Sequence, residues 1–210
     1  MYFELGRVQV RKRSRLPHWD VEHGIYFVTW HLADAIPPSE REAIEQRCEW
    51  YASLVRMRHG PIVNAEVELI RRYKRRLIYR TLDLHLGSCI LRGDAVAIVS
   101  NAILFFDTVR YSLYAWCVMP NHAHVVFSCE PQHSIDRILH SWKSYTSKRV
   151  NEIAGRTGTL WLPDYLDTTV RNTKQFERTI AYVMTNPEKA GLDEWPYHGS
   201  YAERIARVIA

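Results

Sequence analysis

Two pairs of residues in this sequence have types and spacing that suggest chemistry: His122 with His124, and Tyr182 with Asn186. In an extended strand alternate side chains share a face, so the two imidazoles stand side by side with Ala123 turned away. Two adjacent imidazoles are half of a divalent-metal site. In a helix, residues four apart share a face, so Tyr182 and Asn186 present a phenol and a carboxamide from successive turns. Phe176, Ile180 and Val183 mark the core stripe of that helix, which puts the pair on its flank. Asn186 is expected to be exposed where the helix stops before Pro187. If this helix packs beside the histidine strand, His122, His124 and the Asn186 amide oxygen form three ligands with open positions. Such a set suits Mg²⁺ or Mn²⁺. A cation held there can act as a Lewis acid on a phosphodiester, and a tyrosine can attack it to form a covalent intermediate.

Other residues compete for these roles. Tyr145 also follows the histidines on a helix, but the residue four positions on is Arg149, which cannot ligate a metal. Tyr182 is therefore the expected nucleophile, and Tyr145 is expected to pack or to stack on a base. A two-residue turn at Pro120-Asn121 pairs Cys117 with His124 on one face, so a thiolate there would favour zinc. Against that, a free cysteine in a strand is usually a small buried hydrophobe. Arg71, Arg72 and Arg75, within the basic run at 71–76, are candidate phosphate contacts, as are Lys143, Lys148, Arg149 and Arg171. Each can equally be a solvated helix face. Trp142 falls on an apolar stripe and is expected in the core.

The elements that must position these groups can be read in order. A basic arm ends at Pro17, and residues 25–32 form a first strand. Two helices follow, the first ended by His59-Gly60-Pro61 and the second beginning near Ala65. Asp94 opens a third, with Val99, Ala102, Ile103 and Phe106 on its apolar side. Residues 112–127 are strand, turn and strand: Pro120 fixes φ and Asn121 tolerates unusual backbone angles. A helix capped at Ser134 carries Ile135, Ile138, Leu139, Trp142, Thr146, Val150 and Ile153 on one face. A short strand at 168–170 and the helix from about 172 to 186 complete the order. It predicts an α+β fold, a ferredoxin-like sandwich whose antiparallel sheet is covered by helices on one face, with a helical insertion at about 39–90. The expected organisation is an arm at 1–20, one domain at 21–192 and a tail at 193–210.

Composition permits a real core: 47% of the 210 residues are hydrophobic and the net charge is +5. The four cysteines form no CxxC pair, and the N-terminus lacks the apolar segment of a signal peptide. A soluble, cytoplasmic protein without a membrane partner is expected.

Four segments resemble single-stranded-DNA transposases with a His-hydrophobe-His motif and one catalytic tyrosine, and within them the REP-associated tyrosine transposases. They are WCVMPNHAHVVF at 116–127, SWKSYTSKRVN at 141–151, WLPDYLDTTVR at 161–171 and YVMTNPEKAGL at 182–192. The resemblance implies a metal-dependent attack of tyrosine on a DNA phosphate, giving a 5′-phosphotyrosine link and a free 3′-hydroxyl, reversibly. Carried over by motif position, His122, His124 and Asn186 become metal ligands and Tyr182 the nucleophile. It also implies single-stranded or hairpin DNA as partner and either a monomer or a homodimer. One departure is Thr168, where similar proteins often have Arg, which leaves Arg171 as the basic group nearby. A non-catalytic nucleic-acid-binding protein derived from such a transposase is the alternative; it would have no need of the four site residues.

Overall fold

A computed structural model describes residues 8–13, 16–21, 24–59 and 64–203. The chain divides into two compact units, residues 1–33 with 90–210 and residues 34–89.

The first unit is built on a five-stranded antiparallel sheet. In chain order it contains β1 (Val8–Arg13), β2 (Leu16–Val21), β3 (Ile25–His31), α3 (Asp94–Phe105), β4 (Tyr111–Val118), β5 (His122–Cys129), α4 (Ile135–Ile153), β6 (Leu166–Val170), α5 (Thr173–Met184), α6 (Asn186–Lys189) and β7 (His198–Ser200). The strand order β6-β3-β5-β4 is that of a ferredoxin-like sandwich, with β7 added beside β4. The α+β class is as expected.

Alternation along the strands sorts residues between two faces. Trp30, Val125 and Phe127 point to the face covered by α4, where Trp142 stacks on Trp30 at 5.6 Å and meets Phe127 at 5.3 Å. Its indole N–H donates to the Tyr111 hydroxyl, which donates in turn to the Ile103 carbonyl of α3. Trp142 is thus a core residue, 3% exposed, and truncating so large a buried ring costs about 3–5 kcal/mol. The α4 stripe runs as read except at its end, where Ile153 is 47% exposed in the last turn.

The opposite face carries Phe27, Thr29, His122 and His124, and α5 lies on it: Phe176 contacts Tyr114 at 5.4 Å and Tyr182 contacts Phe27 at 5.9 Å. Helices therefore cover both faces of the sheet, not one. The stretch expected as an arm pairs with itself, β1 against β2 in a two-stranded antiparallel sheet, with Lys12 opposite Pro17. Of the basic cluster at 11–15, residues 14–15 lie outside the described residues. The expected tail supplies β7, held by Trp195 Nε1–H donating to the Val118 carbonyl at 2.7 Å and Val118 N–H donating to Tyr197 at 2.8 Å. Gly199 is required there, because a Cβ would lie 2.4 Å from the Trp116 ring. Residues 204–210 lie outside the described residues.

The second unit consists of α1 (Pro38–His59) and α2 (Asn64–Leu82), with Tyr51 and Tyr73 stacked at 4.5 Å. Gly60 and Pro61, read as the helix stop, lie outside the described residues. Gly87, at φ +79°, lets the closing turn approach Asp34: a Cβ would sit 2.3 Å from the Asp34 carbonyl oxygen. Ser88 donates to the Asp34 carboxylate through its N–H and its hydroxyl.

Candidate active site

The turn between β4 and β5 is fixed on all sides. Met119 N–H donates to the His122 carbonyl at 2.7 Å, closing the hairpin as Pro120-Asn121 predicts. The turn carbonyls of Asn121 and Pro120 accept from Leu32 N–H and Leu91 N–H. A rigid turn sets the register, and the register sets the face: Thr29 and Cys117 flank His124 on adjacent strands, and His31 lies opposite His122. Both site histidines are fully buried.

Their ring nitrogens are oriented from behind. His122 Nδ1 lies 2.7 Å from Asn121 Oδ1, an acceptor, so Nδ1 carries the hydrogen and Nε2 the lone pair. His124 Nδ1 lies 2.6 Å from Thr29 Oγ1. The two Nε2 atoms then face one another at 3.0 Å. Two ligands at about 2.1 Å from a common cation and at right angles to each other are separated by about 3.0 Å. Without a proton or cation to share, two lone pairs at that distance repel. Burial holds His124 down to about 3, so its imidazole is neutral and able to ligate.

The last helices carry the other pair, and they bring Tyr182 onto the histidine face. Asn172 caps α5 by accepting from Gln175 N–H, and the Tyr182 ring meets His124 edge-on at 5.3 Å. Tyr182 is half-buried, with the Lys189 ammonium 5.8 Å from its ring centre. Asn186 departs from expectation. It is 2% exposed, not displayed at a helix end. The reason is Pro187: α5 closes at Met184, and proline, tolerated in a first turn, starts α6. Asn186 Oδ1 is buried with no hydrogen-bond partner among the described residues. An orphaned acceptor of this kind costs about 1–3 kcal/mol and is a recurrent mark of a functional group awaiting a ligand. Two facing imidazole nitrogens suit a divalent cation, and the orphaned Asn186 amide oxygen is a further neutral donor on the next helix.

The structure separates the remaining candidates. Tyr145 is 55% exposed on α4 and does not pack. Cys117 is fully buried, and burial pushes its thiol well up, which favours a neutral hydrophobe over a thiolate ligand. Lys143 donates to the carbonyls of Leu162, Pro163 and Asp164, and burial lowers it to about 8 against the opposing pull of Asp164. Arg149 pairs with Glu152 at 2.7 Å, whereas Lys148 is exposed. Arg71, Arg72 and Arg75 lie in the second unit, where Arg72 and Arg75 both pair with Glu68. Arg171 is exposed next to the α5 cap, its N–H donating to Gln175. Thr168 shares the histidine face, beside Phe27. Sequence reasoning missed the orienting roles of Thr29 and Asn121. Asn121 was visible beside His122, but only its turn chemistry was read.

Residues 99–186 match the family model described as Transposase IS200 like, a span that includes His122, His124, Tyr182 and Asn186. The REP-associated tyrosine transposase of Escherichia coli (strain K12) is 26% identical over 103 residues, 47% of this chain and 59% of that protein. The match thus spans about three-fifths of the curated relative's length. A solved structure of a REP-associated tyrosine transposase bound to a REP hairpin is 17% identical, with a TM-score of 0.55 over 94% of this chain and 88% of that one. It shares the fold, and the resemblance read from the motifs is borne out. Among the described residues no helix is long and apolar enough to cross a membrane.

Proposed function

We propose that this protein is a DNA nicking and joining enzyme, a metal-dependent endonuclease and strand transferase acting on single-stranded DNA at hairpin-forming repeats. The observation that carries this reading is the facing pair of imidazole nitrogens, 3.0 Å apart, with the Tyr182 ring against His124. Binding alone needs neither feature. The family match over the same residues supports it.

In this reading His122, His124 and Asn186 hold a divalent cation, Mg²⁺ or Mn²⁺. When bound, it supplies Lewis-acid polarisation of a non-bridging phosphate oxygen. Tyr182 provides the nucleophile. Its phenolic oxygen forms a bond to phosphorus, the bond from phosphorus to the 3′-oxygen breaks, and the leaving strand end takes up a proton as a 3′-hydroxyl. The 5′-phosphate stays on tyrosine, and attack by a 3′-hydroxyl on that ester reverses the sequence and joins strands. Phe27 and His124 hold the Tyr182 ring by edge contacts, limiting its rotation. Asn121 and Thr29 keep both Nε2 atoms directed at one point.

The test is a labelled single-stranded oligonucleotide containing a hairpin, incubated with the protein and Mn²⁺ or EDTA and separated under denaturing conditions. A covalent adduct is expected with Mn²⁺ only, lost in Tyr182→Phe and kept in Tyr145→Phe. An adduct that survives Tyr182→Phe but not Tyr145→Phe reverses the nucleophile assignment. Oligonucleotide binding that ignores metal, with no cleavage or joining, sinks the enzymatic reading.

A further inference from the structure

The cations that sequence alone singles out as phosphate contacts are mostly committed within the chain: Lys143 to three carbonyls, Arg149 to Glu152, Arg72 and Arg75 to Glu68. A set that shares only Arg171 with those candidates is open. Lys174 and Arg178 on α5, Lys189 on α6 and Arg171 before α5 are all exposed. Among the described residues no carboxylate pairs with any of them. Glu177 and Glu188, their nearest acidic neighbours in sequence, pair with none.

Their arrangement is tied to the nucleophile. Lys174, Arg178 and Tyr182 occupy positions i, i+4 and i+8 of one helix, a ridge that drifts by only about 40° per step. On the same wheel Val183, the buried residue of α5, lies about 100° to the other side of Tyr182. Tyr182 therefore sits where the sheet-facing side of α5 meets a row of cations, and Lys189 closes the row beyond it, 5.8 Å from the ring centre. Successive members of the ridge are about 6 Å apart along the axis. That is comparable to the step from one phosphate to the next on an extended strand. A solvent-facing side of a helix needs polar residues, but not of one sign, unpaired and in line with a tyrosine that faces an imidazole pair.

We propose that Lys174 and Arg178 on one side of Tyr182, with Arg171 continuing the row and Lys189 on the other side, form a track for the phosphates flanking the scissile one. The ligand is the sugar-phosphate backbone of a single DNA strand, bound without regard to base. The inference rests on the tyrosine-nucleophile reading above and adds to it the line along which the strand enters.

The experiment measures fluorescence anisotropy of the labelled hairpin-bearing oligonucleotide with the full chain in EDTA, across a salt series. Lys174→Gln with Arg178→Gln should weaken binding about tenfold at low salt and flatten the log K against log salt slope by about 1.4, near 0.7 per lost single-strand phosphate contact. Arg137→Gln, an exposed cation on α4, is the control and should leave the slope unchanged. Thermal unfolding should match wild type, since the substituted side chains have no partners to lose. With Mn²⁺, saturating oligonucleotide should restore the adduct yield of the double variant. A slope equal to wild type overturns the track while leaving adduct formation by wild type, and so the reading above, intact. A loss that saturation does not restore also overturns it, because the cations would then act on the step and not on the strand. Wild type that neither binds the oligonucleotide nor forms an adduct sinks both.

Discussion

Replacing Asn186 by leucine should make the metal-free protein more stable and insensitive to divalent cations. The side chain is 2% exposed and its Oδ1 has no hydrogen-bond partner among the described residues. An orphaned buried acceptor costs about 1–3 kcal/mol, and an apolar side chain of similar volume removes that cost. Allowing for imperfect packing, the expected gain is about 1–2 kcal/mol. For a chain of this length that is about 2–8 °C in Tm. Wild type should respond oppositely to metal: at a hundredfold excess over Kd, a cation bound only to the folded state adds about 2.7 kcal/mol. The assay is thermal unfolding in EDTA and in a Mn²⁺ series, for wild type, Asn186→Leu and Asn186→Asp. The leucine variant should melt above wild type in EDTA and not move with Mn²⁺, whereas aspartate, which keeps an oxygen ligand, should regain the shift. A leucine variant that melts below wild type in EDTA refutes the argument, since the amide would then be supporting the fold. Retention of the Mn²⁺ shift by that variant refutes its place among the ligands.

Three further outcomes follow from the packing. Thr29→Val and Asn121→Ala each remove the group that orients one imidazole, so Mn²⁺ affinity read by titration should fall about 10–100-fold with unchanged circular dichroism. Unaltered affinity in both would show that the rings are held by packing alone. Gly199→Ala should cost about 1–3 kcal/mol in denaturant unfolding, because the new Cβ meets the Trp116 ring at 2.4 Å; a neutral substitution would mean that β7 is not seated as described. Lys143→Met strips hydrogen bonds from the carbonyls of Leu162, Pro163 and Asp164 and should cost about 1–3 kcal/mol while leaving the salt dependence of oligonucleotide binding unchanged. A flattened slope would return Lys143 to the phosphate contacts.

What could be read from the sequence was set by short-range rules. The β4–β5 hairpin is specified by eight or so contiguous residues, and the period of two then forces His122 and His124 onto one face wherever the sheet goes. The Trp142 stripe is likewise local. Groups that depend on pairing across the chain were not legible. Thr29 reaches His124 only because β3 pairs with β5, 95 residues away in sequence. β7 has three residues, one of them glycine, too few to show alternation, and it is seated because Gly199 leaves room for the Trp116 ring. Lys143 looked like a free cation because the loop that wraps its ammonium carries no pattern of its own.

The misreading of Asn186 has a different cause, and it bears on how the site divides its labour. A residue before proline is pushed out of the helical region, which predicts a helix end at Asn186, but proline also suits a helix start. Here the chain closes α5 with Thr185 N–H on the Ala181 carbonyl and begins α6 immediately. Had one helix continued, Asn186 would have followed Tyr182 along the same half-buried flank. The break turns the amide into the interior, where it is 2% exposed, and leaves the Tyr182 ring partly exposed at the head of the open cation row while its hydroxyl oxygen is buried. A buried amide oxygen is fixed and dry, where its dipole is undiminished by water, and the break between adjacent helical segments gives Asn186 that setting.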